Sequence, residues 1–184
     1  MWTEEPGPSA VFVTGALLAG RTTTAQRLGE IVEPAFDVRV LSLDRFGGWR
    51  CVLGKRELVV RPPWVTPWAV DPFAPMVTEP RMIAELAFLR AAGAIVFVAD
   101  AQEERRAANI VALARVRELL VHLGREPDQV RMLITLNKQD LPNIASTEAL
   151  RRELIWRGAR YVETAVTQRV GLLELQVGVA ELVG

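Results

Sequence analysis

Apolar residues recur along the chain in two patterns, and the alternation of these patterns predicts the secondary structure. Short runs that are apolar almost throughout, such as AVFV from Ala10 and AIVFVA from Ala94, are typical of strands buried on both faces. Longer stretches with apolar residues every three or four positions predict amphipathic helices. We expect strands at 10–14, 37–43, 57–61, 94–99, 131–136 and 161–164, and helices at 22–31, 103–123, 146–155, 171–183 and from about residue 80.

This succession of strands and helices is the pattern of an α/β domain with a mostly parallel sheet and helices on both faces. No internal repeat and no long linker interrupts it, so we expect residues 10–184 to form a single domain after a flexible N-terminal segment, 1–9. A proline-rich segment lies within that domain. Residues 62–80 hold six prolines, which is too many for a regular helix or strand to persist.

Composition narrows the class of protein further. The 184 residues are 50% hydrophobic with a formal net charge of zero, which suits one domain with a sizeable core and argues against general nucleic-acid binding. The single cysteine, Cys51, cannot form an internal disulfide and fits a reducing compartment. The N-terminus lacks the pattern of a signal peptide, and no apolar run approaches the ~18 residues of a transmembrane helix. We therefore expect a cytoplasmic protein.

The loop after the first strand has the glycine spacing of a phosphate-binding loop. In the sequence GALLAGRTT, two glycines stand five residues apart and are followed by a basic and a hydroxyl residue. Loops of the form G-x-x-x-x-G-K-[ST] bind phosphates through backbone N–H groups and a helix N-terminus, and the hydroxyl residue binds Mg²⁺. Here arginine replaces the lysine, and similar turns also occur without a ligand. The candidate phosphate-binding residues are Gly15, Ala19, Gly20, Arg21, Thr22 and Thr23, with Thr22 as the candidate Mg²⁺ ligand.

A second motif, Asn137-Lys138-Gln139-Asp140, directly follows the predicted strand 131–136. In a parallel sheet, ligands bind beyond the carboxyl ends of the strands, where we expect both motifs to lie. Asp140 can accept hydrogen bonds from the N1–H and N2–H₂ groups of guanine, which adenine lacks. The alkyl stem of Lys138 can cover the purine ring, and Asn137 can tie this loop to the phosphate loop. Alone the motif is typical of a surface turn, but together with the phosphate loop it predicts a guanine-nucleotide site.

These motifs resemble those of the small Ras-like GTPases, and more closely those of the bacterial polarity and gliding-motility GTPases of the MglA type. The resemblance extends from residue 10 to the C-terminus and rests on VFVADAQ from Val96, NKQDLPN from Asn137 and TAV from Thr164. It implies a P-loop, Ras-like G domain with six strands, the second of them antiparallel, that binds GTP or GDP with Mg²⁺. It also implies that the backbone of Ala165 and Val166 contacts the guanine O6.

The chain departs from this family where the γ-phosphate would be sensed and cleaved. The family motif T-V-P-G-Q has its best counterpart at 66–69, where Trp68 stands for the glycine and Ala69 for the water-orienting glutamine. Tryptophan resists the close backbone approach that glycine permits, and alanine has no group to hold a water. Between Ile31 and Leu41 there is also no threonine or serine to close on Mg²⁺. We therefore assign no catalytic residue and expect GTP hydrolysis to be absent or very slow.

The proline-rich segment also contains the candidate protein interface. Trp64, Trp68 and Phe73 are too many large rings for a solvated loop. They either fold onto the domain at the γ-phosphate end of the pocket or form a partner-binding face. The arginine pairs at 105–106 and 151–152 are interpreted as solvated helix faces, not as a nucleic-acid patch.

Two function hypotheses follow from the resemblance and the departures. In the first, the chain is a degenerate GTPase that binds guanine nucleotide weakly, constitutively or not at all. It then acts as a scaffold in bacterial polarity, motility or signalling, with a roadblock-fold regulator of the MglB type or an MglA-type GTPase as partner. In the second, it is a slow GTPase switch whose missing groups are supplied by Asp71 or by an arginine of a partner. An arginine added in this way raises the hydrolysis rate by roughly 10³–10⁵. An adenine-nucleotide kinase is a third, weaker alternative, because Asp140 favours guanine.

Overall fold

The computed structural model describes residues 10–31, 39–43, 49–53, 56–59, 85–86, 88–90 and 92–183. The strands are β1 (Ala10–Gly15), β2 (Arg39–Leu43), β3 (Trp49–Leu53), β4 (Arg56–Val59), β5 (Ala94–Asp100), β6 (Arg131–Asn137) and β7 (Arg160–Thr164). The helices are α1 (Arg21–Ile31), α2 (Arg106–His122), α3 (Thr147–Glu153) and α4 (Leu172–Val183). Residues 85–86 and 88–90 are also helical. The strands form one sheet in the order β4-β3-β2-β1-β5-β6-β7.

The sheet is mostly parallel, as the alternation of strands and helices predicts. β1 lies at its centre and pairs in parallel with β2 on one side and β5 on the other, and β6 and β7 continue the parallel series. β3 pairs antiparallel with both β2 and β4, so among the described strands it alone runs against the others.

Two details implied by the family resemblance are corrected here. The described residues form seven strands in place of six, and the antiparallel strand is the third and not the second. The additional strand is Trp49–Leu53. It is short and bounded in sequence by the glycines at 47–48 and 54, and it is separated from β4 by two residues, the length of a tight hairpin connection.

Helices cover both faces of the sheet, which confirms this part of the fold prediction. Successive residues of a strand point to opposite faces, and two hydrophobic cores result. On one face, Phe97 of β5 lies in a cluster with Leu113 of α2. On the other, Val96 lies in a cluster with Leu28 of α1 and Leu175 of α4. Because β5 is buried on both faces, its functional groups can only emerge at its ends.

Two side chains in the C-terminal half are held by local hydrogen bonds. Ser146 is the N-cap of α3, and its side-chain oxygen accepts a hydrogen bond from the Ala149 N–H at 3.2 Å. Trp156 packs into the core, since it is 3% exposed and its Nε1 donates to the Val130 carbonyl oxygen at 3.0 Å. In the part of the chain that the structure describes, no helix combines the length and apolar character needed to cross a bilayer.

Other predictions concern residues outside the described ranges. These are the N-terminal segment 1–9, the proline-rich segment 62–80 with Trp64, Trp68 and Phe73, and the counterpart of the family's T-V-P-G-Q motif at 66–69. They remain predictions from the sequence.

Candidate functional site

The loop between β1 and α1 leaves the carboxyl end of the central strand and enters a helix N-terminus. Gly15 ends β1 with a φ of +143°, and a Cβ on it would lie 2.1 Å from the Val98 carbonyl oxygen of β5. Gly20 has a φ of +98°, and its carbonyl oxygen accepts the helical hydrogen bond from the Thr24 N–H at 2.9 Å. Both positions require glycine for backbone geometry, as the phosphate-loop spacing predicts.

The remaining phosphate-loop candidates lie at the end of this loop and in the first turn of α1. Ala19 is buried, whereas Arg21, Thr22 and Thr23 are half-buried. The first N–H groups of any helix lack an intrahelical acceptor, so α1 directs donors and the positive end of its dipole toward the loop. Among the described residues, no group of three or more His, Cys, Asp and Glu side chains could hold a metal ion.

Asn137, the last residue of β6, joins the phosphate loop to the loop after β7 through its buried amide. Its Nδ2 donates to the Ala19 carbonyl oxygen at 2.8 Å. Its Oδ1 accepts from the Thr164 hydroxyl at 3.1 Å and from the Val166 N–H at 3.2 Å. A Cβ on Gly20 would lie only 2.5 Å from Nδ2, so this glycine also permits the close approach of Asn137. The contact between Asn137 and the phosphate loop that the sequence predicts is therefore present.

A chain of buried polar groups continues beneath these loops. The hydroxyl groups of Thr135 on β6 and Thr164 on β7 lie 2.7 Å apart, and both residues are fully buried. The Thr164 carbonyl oxygen also accepts from the Gln139 N–H at 3.1 Å. Buried networks in which every group is hydrogen-bonded rigidify a structure, so the relative positions of the β6 and β7 ends are fixed.

The candidate guanine-binding residues lie in the two loops that this network supports, after β6 and after β7. Asp140 is exposed, and its Oδ2 accepts a hydrogen bond from Gln168 Nε2 at 3.0 Å. Ala165 and Val166, which open the loop after β7, are buried. Lys138 adopts a φ of +71°, a conformation in which the chain turns sharply between Asn137 and Asp140. An ionised carboxylate oxygen accepts more than one hydrogen bond, so Asp140 retains acceptor capacity for the donors of a base.

A charged cluster that the sequence patterns did not predict lies beside the phosphate loop. The side chain of Asp100, at the end of β5, is 1% exposed, and its Oδ2 lies 2.6 Å from Lys138 Nζ and 3.9 Å from Arg105 Nε. Arg105 also donates from Nη2 to the Leu17 carbonyl oxygen at 2.7 Å. Its interpretation as part of a solvated helix face is therefore wrong. The available signal was the carboxylate that directly follows an entirely apolar strand at the ligand-binding edge of the sheet.

Two further arginines of these pairs, Arg106 and Arg152, differ from Arg105 in their contacts. Arg106 forms ion pairs with Glu103 and Glu153, while Arg152 is 75% exposed in its side chain and pairs with Glu148. For Arg152, the prediction of a solvated helix face is confirmed.

Comparison with known proteins gave one curated relative and a similar solved structure. The chain is 34% identical over 95 residues to the mutual gliding-motility protein MglA of Myxococcus xanthus (strain DK1622), a match that covers 52% of this chain and 49% of MglA. The match thus spans about half the length of this relative. Among solved structures, the chain is similar to a protein described as nucleolar GTP-binding protein 1 from Plasmodium falciparum, with a TM-score of 0.62 and 14% identity. That likeness covers 100% of this chain and 90% of the other. No family model matches the chain.

The two comparisons concern different properties of the chain, namely its fold and its sequence. At 14% identity the structural likeness shows the fold alone, and that fold is shared with a GTP-binding protein. The MglA match adds a likeness in sequence. The chain therefore shares its fold with a GTP-binding protein, and it resembles MglA in sequence over about half of its length.

Proposed function

We propose that the chain is an MglA-like small GTPase-fold protein that binds GTP or GDP between its phosphate loop and the Asn137–Asp140 loop. The observation that carries the proposal is the buried amide of Asn137, which contacts both Ala19 of the phosphate loop and Val166 of the loop after β7. These are the loops that the family resemblance assigns to phosphate and guanine recognition. A single side chain thus holds the phosphate-binding and base-binding candidates at a fixed separation.

The residues at this site fit a guanine nucleotide. Gly15 and Gly20 give the loop its positive φ angles at two positions, and the N-terminus of α1 favours a polyanion. Thr22 would supply a hydroxyl to Mg²⁺, which in proteins is commonly bound by one or two side chains together with phosphate oxygens. Asp140 would accept from the N1–H and N2–H₂ groups of guanine. The Val166 N–H, which donates to Asn137 Oδ1 at 3.2 Å, would share its proton with the guanine O6 in a three-centre hydrogen bond.

We also propose that GTP hydrolysis is absent or very slow, and that the protein acts as a scaffold or regulator in bacterial polarity, motility or signalling. Trp68 and Ala69 stand where a GTPase of this family has the glycine and glutamine that position the attacking water. The partner would be a roadblock-fold regulator of the MglB type or an MglA-type GTPase, bound through Trp64, Trp68 and Phe73. The lone Cys51 is consistent with a cytoplasmic location.

A single-turnover hydrolysis assay tests this proposal. GTP is loaded onto the protein, and GDP is quantified over time, alone and with each class of partner. The proposal predicts no partner-stimulated turnover, although the partner still binds. Turnover that rises about 10³-fold or more with a partner, and that is lost in Arg21→Ala, would instead support a slow GTPase switch completed by that partner.

A further inference from the structure

Asp100 is held in place by hydrogen bonds to its backbone and to its carboxylate. Asn109 of α2 donates from Nδ2 to the Asp100 carbonyl oxygen at 2.7 Å and accepts from the Asp100 N–H at 3.0 Å. The Asp100 Oδ1 accepts from the Gln102 N–H at 3.1 Å. A buried carboxylate is stable only when it is paired, so the orientation of this group fixes where its cationic partners must lie.

The other carboxylate oxygen, Oδ2, faces basic side chains from two parts of the site. Lys138, at 2.6 Å, belongs to the candidate base-binding loop, whereas Arg105, at 3.9 Å, ends the 3-10 turn Glu103–Arg105 before α2. The turn itself is anchored, because the Glu103 N–H donates to the Asn143 carbonyl oxygen at 2.8 Å. Asp100 therefore contacts both the base-binding loop, through Lys138, and Arg105, so one carboxylate links the positions of the two.

Arg105 extends from this cluster to the middle of the phosphate loop. Its Nη2 donates to the Leu17 carbonyl oxygen at 2.7 Å. Leu17 and Leu18 are 55% and 72% exposed, and Leu18 has a φ of +66°, which residues other than glycine rarely adopt. Within the loop, the Ala19 N–H donates to the Ala16 carbonyl oxygen at 3.2 Å across these two residues, whose side chains have little packing, so Arg105 adds a contact from outside the loop.

We propose that Arg105 is a positioning residue for the phosphate loop, held in place by Asp100. In a trans peptide the C=O and N–H groups point in opposite directions. A hydrogen bond from Arg105 to the Leu17 carbonyl therefore also determines where the Leu18 N–H is aimed. Loops of this type bind phosphate through such N–H groups, so Arg105 acts on phosphate binding without touching the nucleotide. The consequence for nucleotide affinity rests on the proposed function, whereas the effect on the loop does not.

Hydrogen exchange tests the effect on the loop in protein to which no nucleotide has been added. The variant is Arg105→Gln, and the matched control is Arg106→Gln, which removes the same charge from a residue whose described ion pairs are with Glu103 and Glu153. We expect the amides of residues 16–20 to exchange about tenfold faster in Arg105→Gln, since a hydrogen bond to a charged donor is lost. Arg105→Lys, which keeps a cationic donor, should restore part of the protection. Unchanged exchange in Arg105→Gln, or equal acceleration in Arg106→Gln, would overturn the proposal.

Binding of GDP and of guanosine separates positioning of the phosphate loop from general loosening of the site. We expect Arg105→Gln to lower the affinity for GDP about tenfold and to leave the affinity for guanosine, which has no phosphate, unchanged. Equal loss for both ligands would contradict a role in phosphate positioning. If the unaltered protein binds neither ligand, the proposed function fails, and the exchange experiment alone decides the role of Arg105.

Discussion

At the scale of single residues, Asn137 makes the hydrogen bonds that bring the two candidate binding loops together, through Nδ2 to Ala19 and through Oδ1 to Thr164 and Val166. The contact to Ala19 could be predicted from the sequence, because both motifs follow parallel strands that end at the same edge. The contacts of Oδ1 could not be predicted, because they depend on the register that places Asn137 beside Thr164.

Replacement of Asn137 by alanine should destabilise the fold. The variant leaves the Ala19 carbonyl oxygen and the Val166 N–H without this partner in a buried setting. We expect a loss of about 1–3 kcal/mol in the free energy of unfolding, measured by urea denaturation. Gln129→Ala, at an exposed position, is the control and should change stability by less than about 0.5 kcal/mol. Equal effects of the two substitutions would contradict the structural role of the amide.

Asp140 is the residue that should determine base selectivity. Asparagine at this position offers an amide donor, which suits the C2 oxygen of xanthine better than the N2–H₂ group of guanine. We expect Asp140→Asn to weaken GDP binding by about tenfold or more and to strengthen binding of xanthosine diphosphate, as measured by calorimetry. Asp128→Asn makes the same change at an exposed aspartate in the 3-10 turn Pro127–Gln129 and should leave both affinities unaltered. Unchanged selectivity in Asp140→Asn would show that Asp140 does not bind the base.

At the scale of secondary-structure elements, burial on both faces made some strands easy to predict. β5 is recognisable as a continuous apolar run that ends in Asp100. β6 is recognisable because it is apolar apart from Arg131 and Thr135 before it ends in Asn137. β3 was missed because its five residues include an arginine and lie between glycines, a pattern that is also typical of a loop. In the sheet, β3 lies between its neighbours in sequence, β2 and β4.

The loop between β7 and α4 offers a matched test of backbone geometry. Gly171 has a φ of +74°, and a Cβ on it would lie 2.1 Å from the Glu163 carbonyl oxygen, whereas Gly124 has a φ of +69° and nothing within 4 Å. Alanine at either position carries the cost of a left-handed conformation, about 1–2 kcal/mol. Gly171→Ala should lower the free energy of unfolding by at least about 1 kcal/mol more than Gly124→Ala does, because the backbone at Glu163 must also shift. Equal unfolding free energies for the two variants would show that this loop is not closely packed.

At the scale of the whole molecule, the sheet brings the carboxyl ends of β1, β5, β6 and β7 to one edge. The phosphate loop, the Asp100 cluster, the Asn137–Asp140 loop and the loop after β7 all begin there. This arrangement could be predicted from the alternation of strands and helices, because parallel strands require it. The contact of Arg105 with Leu17 could not, because it joins residues 88 positions apart through the orientation of a flexible side chain.

The nucleotide content of the purified protein tests the central claim most directly. The protein is denatured, and the supernatant is separated by anion exchange and compared with guanine and adenine nucleotide standards. The account predicts bound GDP or GTP without ADP or ATP, and GTP that survives purification would also support the proposed loss of hydrolysis. A protein that carries no nucleotide and shows no thermal shift with GTP and Mg²⁺, or one that binds adenine nucleotides equally well, would contradict the account.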